Sequence, residues 1–184
     1  MKTHRCTCTL LLIPVFFLFV GCSPSRKTAT TPQDAINEIR KALELPQLPL
    51  EFVETTKMIN SPSGQLKVDV YQDSDGRLYS VEPITNQVVE IDARAVLSSL
   101  PLNPTALPPE EIREKVMAYV KAVVPNLDSL QPSLKYEEGS KIDNYFFEWN
   151  RSTKPGDMNR AFLQIGIHNS GLLFAYYNTL NIEN

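Results

Sequence analysis

Apolar positions change period along this chain. Leu10 to Val20 is one apolar run broken only by Pro14. Ile36, Ile39 and Leu43 then recur at three- and four-residue spacing, the period of a helix face. Thr31 stands where a cap belongs, Pro32 suits the first helical position, and Asp34 lies where the helix dipole favours an acid. A helix is therefore predicted from Pro32, ended by Pro46 and Pro49. Beyond it the period falls to two. Leu66, Val68 and Val70 alternate with Lys67, Asp69 and Tyr71, which reads as a half-buried antiparallel strand. Four short strands are expected, over Glu51–Ile59, Leu66–Gln72, Arg77–Glu82 and Gln87–Ile91. Turn formers at 61–64, 73–76 and 83–86 separate them. A short helix is expected over Asp92–Leu100.

Pro101, Pro104, Pro108 and Pro109 then mark a stiff linker over 101–109. The order repeats after it. A second helix starts at Pro109, with Ile112, Val116, Tyr119, Val120 and Val123 on one face, and stops at Pro125. Strands are predicted over Ser133–Glu138, Tyr145–Arg151, Arg160–His168 and Leu172–Tyr177, separated by Gly139, by 154–157 and by 169–171. Pro32-x-Asp34-x-Ile36 matches Pro108-x-Glu110-x-Ile112 at an offset of 76. Arg77-Leu78-Tyr79 parallels Arg160-Ala161-Phe162, and Thr85–Val88 parallels Asn169–Leu172. The predicted fold class is α+β, as two tandem units of helix plus antiparallel sheet, residues 32–100 and 110–184. Similarity at a fixed order of elements points to duplication.

The start of the chain has a different character. Lys2 and Arg5 precede the apolar run, and no acid occurs before Asp34. The run is too short for a bilayer span of about 20 residues and suits a signal-peptide core. It ends in Leu18-Phe19-Val20-Gly21-Cys22, which resembles the bacterial lipobox. That resemblance implies a signal peptide over 1–21, cleavage before Cys22 and lipid on the Cys22 sulfur and amine. Residues 22–31 are then the lipidated Cys and its tether. Two or more acyl chains anchor stably where one is marginal. The expected location is the bacterial cell envelope, on a membrane through the lipid anchor, facing periplasm or exterior. Cleavage would leave 16 basic and 21 acidic residues, net −5, with Cys22 as the only cysteine.

That composition narrows the chemistry. No basic excess exists for phosphate contacts, so no nucleic acid partner is expected. His168 would be the only histidine of the mature chain, and no nucleophile-elbow, zinc-protease, phosphate-loop or dinucleotide motif occurs. No enzyme activity, cofactor or metal is expected. Asp69, Asp73, Asp75 and Glu82 invite a calcium-loop reading, but Tyr71 would fill its first ligand position. A polar hairpin turn is the simpler expectation, its Asp side chains accepting backbone hydrogen bonds. Tyr145, Phe147 and Trp149 share one strand face and Phe146, Glu148 and Asn150 the other, with Phe162, Phe174, Tyr176 and Tyr177 on nearby strands. The stripe is either a ligand platform or core beneath the 112–123 helix face. The expectation is core.

The stretch Leu66-Lys67-Val68-Asp69-Val70-Tyr71, then Gly76–Glu82, then Thr85-Asn86-Gln87-Val88-Val89, resembles the strand-turn-strand pattern of PepSY domains. Asn86 replaces their usual glycine, and asparagine is the next most tolerant of the left-handed conformation. Tyr145–Arg151 is similar to the Phe-x-Trp-x-Arg strand of tandem PepSY-like proteins, while later strands lack the family's acid. The resemblance implies a cystatin-like unit used twice, in a noncatalytic envelope lipoprotein that acts as a binding or regulatory module with a protein or peptide partner. Family members are proposed to restrain peptidases. The alternative expectation is a structural or assembly accessory of an envelope complex.

Overall fold

A computed structural model describes residues 31–58, 65–101, 104–130, 133–151, 160–180 and 182. The leader, Cys22, the tether up to residue 30 and the expected turns at 61–64 and 154–157 lie outside the described residues. Helix α1 spans Pro32–Ala42. Its Thr31 cap accepts a hydrogen bond from the Asp34 backbone N–H at 3.1 Å, which satisfies one of the orphan donors of the first turn. Four strands follow, β1 (Leu50–Met58), β2 (Leu66–Asp73), β3 (Leu78–Glu82) and β4 (Gln87–Asp92). A single turn of helix, α2 (Arg94–Leu97), precedes the long α3 (Pro109–Val123). The short α4 (Leu127–Leu130) leads to β5 (Lys135–Lys141), β6 (Asn144–Asn150), β7 (Phe162–His168) and β8 (Leu173–Asn178).

Three local departures from the sequence reading have physical causes. The helix expected over Asp92–Leu100 is only Arg94–Leu97. Asp92 belongs to the sheet, opposite Leu78 and Ala175, and the hydroxyls of Ser98 and Ser99 bond back to the Ala95 and Val96 carbonyls. Gly139 does not separate two strands. It sits inside β5 opposite Phe146, where no atom lies within 4 Å of a would-be Cβ, and the hairpin reverses at Ile142–Asp143 instead. The turns aligned as Thr85–Val88 and Asn169–Leu172 are one residue out of step. The left-handed positions are Asn86, at φ 55°, and Gly171, at φ 83°.

All eight strands form one antiparallel sheet in the order β1-β2-β3-β4-β8-β7-β6-β5. The two four-stranded meanders meet at β4 and β8, with Ile91 opposite Tyr176, and the Ala93 N–H extends this ladder to the Phe174 carbonyl at 2.9 Å. The two long helices, α1 and α3, lie over one face. Helix α1 packs against β4 and α3, and α3 packs against β7. One hydrophobic core fills the space between, joining Ile36 and Leu43 to Ile112, Val116 and Val120, and these to Val81, Ile91, Phe147, Leu163 and Tyr176. A smaller cluster of Met58, Val68, Val70 and Val89 lies on the opposite face, with Ile182 packed on it.

Candidate functional site

Trp149 is 1% exposed and sits with Phe147 in the core beneath the helices, and Tyr145 packs at its margin. The aromatic strand is core, as its apolar face demands, because only the helix side offers enough surface to bury it. The Tyr79–Phe162 parallel fails for the same reason. Tyr79 faces the helices, whereas Phe162 stacks on Tyr177 on the other side, and Leu163 takes the core position. A slip of one residue reverses the face of a strand side chain.

The acids that invite a calcium-loop reading are engaged separately. Asp73 closes the β2–β3 turn, its Oδ1 accepting from the Asp75 and Arg77 backbone N–H groups at 3.1 and 3.0 Å. Its Oδ2 accepts from Tyr79 Oη at 3.0 Å and from Arg40 Nη2 at 3.2 Å. Asp75 pairs with Arg77 at 2.8 Å, Asp69 accepts from the Thr55 hydroxyl, and Glu82 accepts from the Ile84 and Thr85 backbone. Among the described residues no three His, Cys, Asp or Glu side chains are grouped to hold a metal ion.

Arg40 is the feature that the helix stripe did not disclose. It is fully buried on α1, between Ile36 and Leu43, and its Nη1 donates to the Leu48 carbonyl at 2.7 Å. Its Nε donates to Tyr79 Oη at 3.1 Å, and its guanidinium lies 4.6 Å from the centre of the Tyr79 ring. Burial pushes the Tyr79 phenol up to about 12, partly opposed by Arg40, so the hydroxyl stays protonated and donates to Asp73. This network ties α1 to the β2–β3 turn. It is sealed from solvent, so its role is structural.

The open features are the two ends of the sheet. Residues Glu51–Lys57 of β1 are exposed on both faces, with Phe52 57% and Val53 49% exposed. A bulge at Val53 separates Phe52, opposite Tyr71, from Glu54, opposite Val70. Strand β5 is the other edge and differs in kind. Lys135, Glu137, Glu138 and Lys141 charge it, and Arg113 of α3 grips Glu138 at 2.8 and 3.1 Å. Those bonds hold the Glu138 carboxyl below its ordinary range. Charge of this density is a standard guard against strand addition. The β1 edge has three charges in nine residues and two large apolar side chains in solvent, so it is the edge better suited to pair with another chain. Its sequence signal was the absence of alternation across Glu51-Phe52-Val53-Glu54-Thr55-Thr56-Lys57.

His168 ends β7. Its Nδ1 accepts from the Ser170 backbone N–H at 3.1 Å and lies 2.8 Å from Ser170 Oγ, a local bond of the β7–β8 turn. No carboxylate among the described residues is hydrogen-bonded to the ring. No helix among the described residues is long and apolar enough to cross a membrane. No family model, curated protein or solved structure matches the chain.

Proposed function

We propose that the chain is a noncatalytic lipoprotein of the bacterial envelope, anchored through Cys22, whose folded part holds a protein or peptide partner by adding a strand of that partner to β1. The observation that carries this reading is the β1 edge, exposed on both faces, bearing Phe52 and Val53 and lacking the charge density of β5. An extended segment paired there would gain main-chain hydrogen bonds along the strand and side-chain contacts on alternate residues. Restraint of a peptidase is one such role, since a bound strand occupies an extended segment of the partner.

The finer architecture belongs to the same proposal. The chain is read as two tandem PepSY-like units whose sheets have merged. In support, helix plus four-stranded meander occurs twice in order. The core-facing positions Ile36, Arg40 and Leu43 correspond at the offset of 76 to Ile112, Val116 and Tyr119.

Photocrosslinking in bacterial cells producing the full chain tests the edge. A photoreactive residue at Val53 should give a discrete crosslinked product. The same residue at Ile84, which is 89% exposed on the β3–β4 turn, should give none. No product at Val53, or equal products at both, would remove the edge reading. Cys22→Ala should release the chain from membranes on carbonate washing, and retention would remove the lipid anchor.

A further inference from the structure

The register of β1 against β2 assigns each charge of β1 to a face. Glu54 stands opposite Val70 and Glu51 opposite Gln72, on the side of the sheet away from the helices, where Val68 and Val70 form the smaller cluster. Phe52 stands opposite Tyr71, which packs against the core beneath the helices. The Phe52 and Tyr71 rings meet edge-on at 5.7 Å. Lys57 stands opposite Lys67 on that same helix side, since Lys67 alternates with Leu66 and Val68 of the far side. The acids of β1 therefore occupy one face and its lysine the other.

The bulge at Val53 does this sorting. In an unbroken strand Glu51 and Lys57 would share a face and Glu54 would lie on the other. The extra residue shifts the phase by one, so that Glu51 joins Glu54. The Glu51, Glu54 and Lys67 side chains form no hydrogen bond or ion pair among the described residues. Lys57 Nζ donates to the Gln65 amide oxygen at 2.9 Å and meets no acid among them. Like charges directly opposite, as Lys57 and Lys67 are, oppose the pairing of their strands. On β5, by contrast, Lys135 pairs with Glu137 and Glu138 with Arg113, so those charges are answered within the chain.

In water these charges are solvated, but their arrangement dictates which strand can be added. Side chains of an added strand would lie directly beside them on each face, about 5 Å away. Antiparallel addition continues the alternation of the whole sheet and is the more stable mode per residue. A second copy of β1 is a poor occupant. Antiparallel pairing about a two-fold axis keeps like faces together, so acids would share a face with acids and lysines with lysines. The pattern instead fits a strand of opposite sorting. We propose that β1 accepts an antiparallel peptide strand carrying an acid opposite Lys57 on the helix side and a base opposite Glu54 on the far side, with an apolar residue against Phe52. This rests on the β1 edge reading and specifies its partner by chemistry.

Nuclear magnetic resonance of the full chain, read at the β1 backbone amides, tests this with two peptides. One is acetyl-Glu-Val-Thr-Lys-Phe-Arg-amide, which in antiparallel register sets its Glu against Lys57, its Lys against Glu54 and its Phe against Phe52. The other exchanges the Glu and the Lys, so composition and net charge are unchanged. The first should shift the β1 signals saturably, half-saturating at about 1 mM. The second should bind about tenfold more weakly. Glu54→Lys combined with Lys57→Glu should reverse that order, and both side chains are exposed, so the fold tolerates the exchange. Equal binding of the two peptides, or an order that the double variant does not reverse, would overturn the proposal while leaving the edge reading in place. No saturable shift from either peptide would also overturn it, and the edge reading is then judged separately by the Val53 crosslink. Shifts that follow protein concentration without peptide would assign the edge to a second copy and overturn it as well.

Discussion

Asp73 ties helix α1 to the β2–β3 turn. Among the described residues it is the only carboxylate paired with the fully buried Arg40, and it also accepts from Tyr79 and from two backbone N–H groups of its turn. Asp73→Ala would strand the Arg40 charge in the core, and breaking a buried pair from one side costs about 3–5 kcal/mol. Urea unfolding should register a loss of that size, and a loss below about 1 kcal/mol would mean that the network contributes little. Glu82 governs pH dependence in a different way. Burial raises its carboxyl, but hydrogen bonds from the Thr85 hydroxyl and the Ile84 and Thr85 backbone outweigh burial, and its net position is below the ordinary 4.5. A carboxyl depressed on folding contributes stability above its unfolded value, and that contribution is lost as pH falls through the folded one. Asp92, held down chiefly by its hydrogen bond to Arg94, acts in the same direction. The unfolding midpoint should therefore drop from about pH 5 toward about pH 3, with a shallower slope in Glu82→Gln. An identical slope in that variant would show that Glu82 does not contribute.

At the scale of single elements, β6 and β7 show how strictly the sheet is packed on both faces. On the helix side Trp149 is enclosed in the core, and the Tyr136 ring, 5.1 Å away, covers it from the β5 edge. Trp149→Ala should cost about 3–5 kcal/mol, typical of truncating a buried aromatic. Since Trp149 is the only tryptophan, native emission should be blue-shifted and poorly quenched by acrylamide. Red emission with free quenching would contradict its burial. On the opposite face Gly166 is opposed by Phe146 and Ala175, and the Phe174 ring crosses above it to meet Phe146 edge-on at 5.5 Å. A Cβ at Gly166 would lie 2.8 Å from the Phe174 ring. Gly166→Ala should thus lose about 1–3 kcal/mol through overpacking, although its backbone conformation suits any residue. Wild-type stability in that variant would mean that the Phe174 ring has room to shift.

At the scale of the molecule, the β4–β8 junction and the shared core make the two helix-and-meander halves one cooperative body. Trp149 fluorescence, which reports the second half, and far-ultraviolet dichroism, which reports both, should give coincident thermal transitions. Two separated transitions would show that the halves unfold independently. The elements themselves were legible in the sequence, because caps, prolines and alternation act over a few residues. Thr31 and Pro32 mark the start of α1, Pro109 marks that of α3, and the period-two run from Leu66 marks β2. The duty of the Tyr145–Trp149 face was legible too, since a wholly aromatic strand face has to find a helix. Tertiary structure decided the rest. The union of two sheets depends on Ile91 meeting Tyr176, a pairing between distant segments that no local period encodes. The burial of Arg40 depends on Asp73 and Tyr79 arriving from β2 and β3, and without them the same helix position would have to turn its charge to water. Local sequence determines which elements form, because their hydrogen bonds and caps close within a few residues. Which surfaces meet is a property of long-range packing, and there a single residue's step along a strand reverses its face.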